Sequence, residues 1–222
     1  MNGNSTSKIN SKTLVTMAML CAIAFIAKWL SNFLPNVQGF LSFDIKDVVI
    51  VIGGFILGPL HAALIALVVS ILEMVTISST GPIGLVMNLL SSCAFACVAS
   101  AIYRRNRKMR SAVTGLVCGV LCMTVIMLLW NWLITPLYMG VPRSVVAGML
   151  MTVFLPFNLA KGGINATLTM LLYKPVVTAL RRAGLVEPGT GSGRTTKWGM
   201  LAVSLVLLVT FILWGLVLAG II

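Results

Sequence analysis

Two polar side chains lie three positions apart inside a long apolar segment of the sequence. Asn158 and Lys161 belong to the stretch 155–163, Leu-Pro-Phe-Asn-Leu-Ala-Lys-Gly-Gly. This spacing places both groups on one face of a helix, directed at the same small volume. A charged side chain deep in a bilayer costs about 3 kcal/mol or more, so an intramembrane lysine indicates a functional site by default. The pair therefore predicts one wall of a polar pocket within the membrane.

Further amides lie in apolar segments, and aromatic residues lie near them in the sequence. Amides donate and accept hydrogen bonds at once, which suits the edge of a heteroaromatic ring, and aromatic faces suit stacking on the ring itself. The alternative is that the asparagines only join helices, at about 1 kcal/mol each. The candidate ligand-binding residues are Asn88, Asn131, Asn158, Lys161 and Phe43, with Trp130, Trp132 and Phe157 close by in the sequence.

Few residues in the chain could perform catalysis, because it has only four acids and one histidine, His61. An intramembrane aspartyl protease needs two facing aspartates, and a metalloprotease needs a cluster of histidine and glutamate ligands. Asp44 and Asp47 are expected to cap the helix that follows them rather than to touch a ligand. Glu73 is a candidate partner for Lys161 or for another helix. An intramembrane hydrolase centred on His61 or Glu73, and a scaffold protein without a ligand, are the alternatives to a binding protein.

Composition places the chain in the membrane. Of its 222 residues, 59% are hydrophobic and 9% are charged, whereas a soluble domain carries about a quarter charged residues. The length allows six or seven helices and no separate soluble domain. The net charge of +12 comes from clusters between apolar segments, which set topology and contact anionic lipid head groups, so we expect no nucleic-acid partner. The five cysteines fall in apolar segments without a histidine or acid nearby, which indicates packing rather than metal binding.

The apolar segments predict an all-α protein with seven helices. Pro35 ends the first, and Gly58-Pro59 separates the second from the third. The second is short for a full crossing, which indicates a tilted or half-buried segment beside the site. The loop 36–47 mixes polar and apolar residues and is either a lid or an ordinary interfacial loop. The predicted helices are 13–34, 48–57, 60–77, 85–103, 112–137, 145–173 and 198–222.

Basic residues between the helices predict the topology. The densest run is 104–110, and a second group comprises Lys174, Arg181 and Arg182. By the positive-inside rule both groups lie in the cytoplasm, and counting crossings back from them places the N-terminus there too. We therefore expect a cytoplasmic segment at 1–12, a six-helix domain at 13–182, a flexible linker at 183–197 and an additional helix at 198–222.

An ordered set of short motifs then resembles a known family. The set comprises Ala-Met-Leu-Cys-Ala at 18–22, Phe-Asp-x-x-Asp at 43–47, Ile-Gly-Gly-Phe-x-x-Gly-Pro-Leu at 52–60, Thr-Gly-Pro-Ile-Gly-x-x-x-Asn at 80–88, Tyr-Arg-Arg at 103–105, Asn131 with Pro-Leu-Tyr at 136–138, and Pro-Phe-Asn-Leu-x-Lys-Gly at 156–162. In this order the motifs resemble the substrate-binding S component of an energy-coupling-factor (ECF) vitamin transporter. The riboflavin-specific branch is the most similar, and the resemblance covers roughly 13–182.

The resemblance implies a six-helix S component of the cell membrane that captures riboflavin outside and is not an enzyme. It implies docking on a transmembrane coupling subunit (EcfT) driven by two cytoplasmic ATPases. It implies no cofactor, and riboflavin is the transported ligand. Groups matching Asn131, Asn158 and Lys161 are expected to face the flavin, and the loop before the second helix to cover it. Ala18 and Ala22 resemble the docking face of the family, and small residues four apart do let another helix approach closely.

Three departures from the family pattern bear on the ligand. The segment 70–73 reads Ser-Ile-Leu-Glu where riboflavin members usually carry Lys-Asn. The segment 84–88 reads Gly-Leu-Val-Met-Asn and lacks the acid that riboflavin members usually carry, and the seventh helix is not part of the pattern. Folate, pantothenate or a queuosine precursor are therefore the alternative ligands for the same class of protein.

Overall fold

The protein is a bundle of helices. The computed structural model describes residues 11–37, 41–78, 80–185 and 198–221. Its helices are α1 (Ser11–Ser31), α2 (Lys46–Leu57), α3 (Pro59–Thr76), α4 (Gly81–Asn106), α5 (Met109–Met139), α6 (Arg143–Met149), α7 (Leu155–Arg182) and α8 (Trp198–Leu218). In the described ranges, six helical segments are long and apolar enough to cross a membrane. The prediction of an all-α membrane protein is confirmed.

Helix boundaries follow glycine and proline. Gly58 ends α2 with a φ of 107°, and Pro59 begins α3, where its missing N–H costs no helical hydrogen bond. Gly140 ends α5 with a φ of 65°, which a residue with a side chain rarely adopts. α1 ends at Ser31, three residues earlier than predicted, and the turn that follows leads to Pro35.

The predicted sixth helix is not one regular helix. A π-helical segment, Leu150–Phe154, separates α6 from α7, and Pro156 follows it at the second position of α7. Proline cannot donate to the carbonyl four residues earlier, and π-helical turns of this kind accommodate such an interruption. α7 also continues to Arg182, so the second basic group lies on the helix instead of after it.

The loop before α2 contains a two-stranded hairpin. Strands β1 (Asn36–Val37) and β2 (Leu41–Ser42) pair antiparallel, with Val37 opposite Leu41. Residues 38–40 of the predicted lid lie outside the described residues, as do most of the predicted linker and of the N-terminal segment. Val37 and Leu41 are buried in a cluster with Phe43, Val146, Phe154, Phe157 and Ala160, which we call the hairpin-end core.

α2 lies at the centre of the bundle and packs against α1, α3, α4 and α7. Nine of its twelve residues are buried, which exceeds the predicted half-buried segment. Farther out, α5 packs against α4 and α7, and α8 packs along α7. At Gly115 of α5 an added Cβ would lie 2.6 Å from the carbonyl oxygen of Ala99, so glycine is required for α4 and α5 to approach this closely.

The opposite end of the bundle collects the basic segments. The Tyr103 and Tyr173 hydroxyls are 2.9 Å apart, and both rings contact Phe55. Each tyrosine immediately precedes a basic residue, Arg104 and Lys174 respectively. Both basic groups therefore lie at one end of the bundle, which we call the basic end, away from the hairpin-end core.

Candidate functional site

Lys161 forms a buried ion pair with Asp44. Its Nζ donates to Asp44 Oδ2 at 2.9 Å, joining α7 to the loop before α2. The amide of Asn165, one turn along α7, donates to the Asp44 carbonyl at 3.0 Å. Lys28 of α1 lies 3.9 Å from the same carboxylate oxygen. Asp44 therefore ties the loop to two helices and is the main counter-charge of Lys161.

The expected capping role of the two aspartates is wrong. The N-cap of α2 is Ile45, and no side chain caps this helix. Asp44 faces Lys161 instead, and Asp47 accepts a hydrogen bond from the Ser92 hydroxyl of α4. A carboxylate buried among helices gains more from a cation or a hydroxyl donor than from exposed end amides, because an unpaired charge there is costly.

Glu73 pairs with another helix, which was one of the two alternatives left open. Lys46 of α2 donates to both carboxylate oxygens of Glu73, at 2.6 and 2.8 Å. The Asn88 amide of α4 donates to the same carboxylate at 2.8 Å. Asn88, one of the candidate ligand residues, therefore helps to satisfy a buried acid that joins α2, α3 and α4.

The charges in the bundle interior balance. Three lysines and three acids are buried in the described part of the chain, so their formal charges cancel. Not every oxygen is satisfied, however: Asp44 Oδ1, Asp47 Oδ2 and Asn165 Oδ1 are buried and have no hydrogen-bond partner among the described residues. Buried acceptors without a partner are rare in proteins, and each one can take a donor from a ligand.

Phe43 joins the ion pair to the hairpin-end core. Its ring packs against that of Phe157, with centroids 4.9 Å apart. Phe43, Asp44 and Lys161 line a cavity of about 250 Å³ between the loop, α7 and α8. Ligand pockets span about 300–1,000 Å³, so this cavity lies just below the usual range.

Asn131 lies elsewhere. It lines a smaller cavity of about 40 Å³ between α4 and α5, beside Trp130, Thr135 and Tyr138. Its amide donates to the Met127 carbonyl at 2.7 Å, and its oxygen accepts from the Thr135 hydroxyl at 2.8 Å. Both bonds stay within α5, so neither joins Asn131 to another helix.

Asn158 is buried and lines neither cavity. Its amide donates to the Phe154 carbonyl at 2.8 Å, at the end of the π-helical segment. The structure thus brings Lys161 and Phe43 together, and it places Asn88 with Glu73. Asn131 and Asn158 bond within their own segments.

Lys28, Lys46 and Asn165 are buried residues of the polar network that were not among those predicted from the sequence. Lys28 lies within a long apolar helix, and the rule that marked Lys161 applies to it equally. Lys46 sits between two aspartates at the start of a short helix, and sequence alone gave no reason to bury it. Asn165 lies four residues after Lys161, on the same face of α7.

The structure also shows where the residues considered for catalysis, metal binding and docking lie. His61 is partly buried near the start of α3. Among the described residues no group of three or more histidines, cysteines or acids could hold a metal ion. Ala18 and Ala22 are exposed on α1, with Leu14 and Ile26 exposed on the same helix. This side of α1 is open to lipid or to another protein.

Fold and site together define a multi-pass membrane protein with a polar interior beside a cavity. The family described as "ECF transporter, substrate-specific component" matches residues 12–173. The chain belongs to this family of transporter components. A solved structure of the S component of a bacterial ECF transporter is 32% identical, with a TM-score of 0.64, and the match covers 77% of this chain and 98% of that one.

Two curated relatives are similar over most of the chain. The riboflavin transporter RibU of Staphylococcus aureus (strain TCH60) is 31% identical over 191 residues, covering 82% of this chain and 100% of that protein. The riboflavin transporter FmnP of Bacillus subtilis (strain 168) is 27% identical over 189 residues, covering 78% and 97% respectively. The predicted family is confirmed. Membership makes the chain a transporter component and not an enzyme, and its partners are the other components of an ECF transporter.

Proposed function

We propose that this protein is the riboflavin-binding S component of an ECF transporter. The observation that carries the proposal is the buried Asp44–Lys161 pair beside a cavity, in a chain whose similar relatives are named riboflavin transporters. The protein performs no chemistry on riboflavin. It holds the vitamin beside the hairpin-end core, at the end of the bundle opposite the basic end, until the transporter carries it across the membrane.

The polar groups suit the chemistry of a flavin. One edge of the flavin ring carries carbonyl acceptors and an imide N–H donor, and the ribityl chain carries hydroxyl donors. Lys161 supplies a donor, while the open oxygens of Asp44 and Asp47 supply acceptors for hydroxyls. Asn131 and Asn158 lie outside the cavity beside Lys161, and each keeps a second amide N–H besides the one bonded within its own segment; in this proposal these N–H groups reach the ligand when the bundle opens to admit it.

Aromatic residues complete the proposed site, with Phe43 packing against the ring. Asn88 acts from farther away in this proposal, because its amide already bonds Glu73. Since the cavity beside Lys161 holds only about 250 Å³, the segment 41–45 has to move outward to admit riboflavin.

Flavin fluorescence tests the ligand assignment. Titration of the detergent-purified protein should quench riboflavin fluorescence with a stoichiometry of one. Asn158→Ala should weaken binding by about tenfold or more, since a lost ligand hydrogen bond leaves a buried group unpaired. Asn106→Ala, at an exposed asparagine at the end of α4, is the matched control.

A protein that leaves flavin fluorescence unchanged would overturn the riboflavin assignment. Mass spectrometry of a copurifying molecule would then separate folate, pantothenate and a queuosine precursor. Each of these outcomes keeps the S-component class, which rests on the family match.

We also propose how the protein sits in the membrane and couples to transport. The basic end faces the cytoplasm, because both basic groups lie there and cytoplasmic loops carry excess Lys and Arg. With seven crossings including α2, this places the N-terminus in the cytoplasm and the hairpin end outside. The proposed organisation is a cytoplasmic 1–12, a six-helix domain at 13–182, a linker at 183–197 and the added helix at 198–222.

The exposed side of α1 around Ala18 and Ala22 is the proposed docking face for the coupling subunit EcfT, which two cytoplasmic ATPases drive. The support is that both alanines are exposed and four residues apart, which permits close helix packing. Copurification of the tagged protein with co-expressed EcfT and ATPases tests this assembly. Failure to recover all three partners in a stoichiometric complex would contradict it.

A further inference from the structure

α8 lies outside the family match, which ends at residue 173, yet it packs closely on the domain that the family shares. At Gly163 of α7 an added Cβ would lie 2.5 Å from the ring of Phe211 of α8. Real Cβ atoms do not approach this closely, so the ring of Phe211 rests directly on the α7 backbone. The absence of a side chain at Gly163 thus allows the two helices to touch.

A second glycine brings α8 against the loop. Gly215 of α8 is buried, and an added Cβ would lie 3.1 Å from the Phe43 ring. Trp214, Leu218 and Ala219 of the same end pack against the hairpin-end core. α8 therefore contacts both the residue next to Asp44 and the core in which the hairpin is buried.

α8 also supplies one side of the cavity beside the ion pair. Leu208, Ile212, Gly215 and Leu216 line it, opposite the loop and α7. All four are apolar, and the charged Asp44 and Lys161 lie on the other walls. Because charge facing hydrocarbon is unfavourable, a cover on the lipid side of this pair has a clear physical use.

We propose that α8 is an added wall of the ligand site, which holds Phe43 and the rest of the segment 41–45 in place and slows release of the ligand. The inference rests on the proposed function in one respect, namely that the ligand is riboflavin. Its structural content does not: α8 restrains the segment 41–45 whether or not a ligand is bound. The wall is apolar, so it faces the methylated benzenoid edge of the flavin and leaves the polar edge to the interior.

Gly215→Leu is the decisive variant, and Gly199→Leu is its matched control. A leucine at 215 displaces the Phe43 ring, whereas nothing lies within 4 Å of an added Cβ at Gly199. Hydrogen–deuterium exchange of the segment 41–45 should accelerate about tenfold in Gly215→Leu without any ligand, because local opening becomes easier. Riboflavin should dissociate about tenfold faster, with association less affected. Gly199→Leu should match the unmodified protein in both measurements.

A milder pair covers the case in which Gly215→Leu does not fold. Ile212→Ala opens the wall by truncating a half-exposed side chain that lines the cavity. Val203→Ala is its control, because it truncates a side chain on the opposite face of the same helix. Exchange of the segment 41–45 and riboflavin dissociation should accelerate in Ile212→Ala alone, by about threefold.

Unchanged exchange in the folded α8 variants would overturn the proposal, as would equal acceleration in their controls. If the unmodified protein binds no riboflavin, the proposed function fails. The exchange comparison still decides whether α8 restrains the segment 41–45.

Discussion

Replacing Lys161 with methionine tests the ion pair most directly. Methionine keeps an apolar stem of similar length, and the change leaves the Asp44 carboxylate buried, with Lys28 3.9 Å away as its nearest remaining cation. Removing one partner of a buried pair costs about 3–5 kcal/mol. Because Lys28 remains, we expect the lower end, about 3 kcal/mol, which lowers the thermal midpoint by about 6–12 °C for a chain of this size.

The double variant Asp44→Asn with Lys161→Met separates stability from ligand contact. It removes both charges, so thermal stability should recover most of the loss, while riboflavin binding should stay weak. Lys174→Met, at an exposed lysine of the same helix, should change stability by less than about 0.5 kcal/mol. Thermal melting in detergent measures the stability of the three variants, and riboflavin fluorescence with the purified proteins measures their binding.

Two results would refute this reasoning. A thermal midpoint of Lys161→Met within about 2 °C of the unmodified protein would show that the ion pair does not hold the loop to α7. A double variant that binds riboflavin as tightly as the unmodified protein would show that Lys161 does not contact the ligand.

Three further predictions follow from other parts of the bundle. Ala18→Trp should preserve riboflavin binding and reduce uptake into cells at least about tenfold, because docking on the coupling subunit fails. Ala202→Trp, at an exposed alanine of α8, should leave both binding and uptake unchanged. Normal uptake by Ala18→Trp would place the docking face elsewhere. Gly115→Val should destabilise the protein by about 1–3 kcal/mol, because its Cβ meets the α4 backbone. Gly148→Val is the control, because nothing lies within 4 Å of an added Cβ there. Equal melting temperatures of the two variants would contradict the close packing of α4 on α5. His61→Ala should leave binding and uptake unchanged, and loss of a proteolytic or lipid-cleaving activity would instead support the hydrolase alternative.

The sequence predicted the polar position on α7 but not its partner. Lys161 was evident because a charge in an apolar segment needs a reason, and this argument uses only neighbours along the chain. Asp44 lies 117 positions away from it. Its local context, just before a helix, favoured capping, and only the packing of the loop between α1 and α7 reveals a cation close enough to compete.

The contacts of α8 with the rest of the bundle could not be predicted from the sequence either. Residues 198–222 are a long apolar run, which establishes a spanning helix and nothing about its neighbour. Contact with α7 and Phe43 depends on Gly163 and Gly215 meeting two aromatic rings. A glycine in an apolar helix has many possible reasons, and the sequence does not indicate which ring approaches it.

The sequence by itself determined the class, the membrane setting and the helices. The class rests on an ordered set of motifs that resembles a known family. The membrane setting and the helices depend on composition, on apolar length and on glycine and proline at boundaries, all of which act within one segment of chain. The tertiary structure alone decided which charges compensate each other, that α2 is the buried centre, and that α8 borders the cavity. Each of these depends on groups distant in sequence meeting in a low-dielectric interior, where a few ångströms determine whether a charge is stabilised or left unpaired.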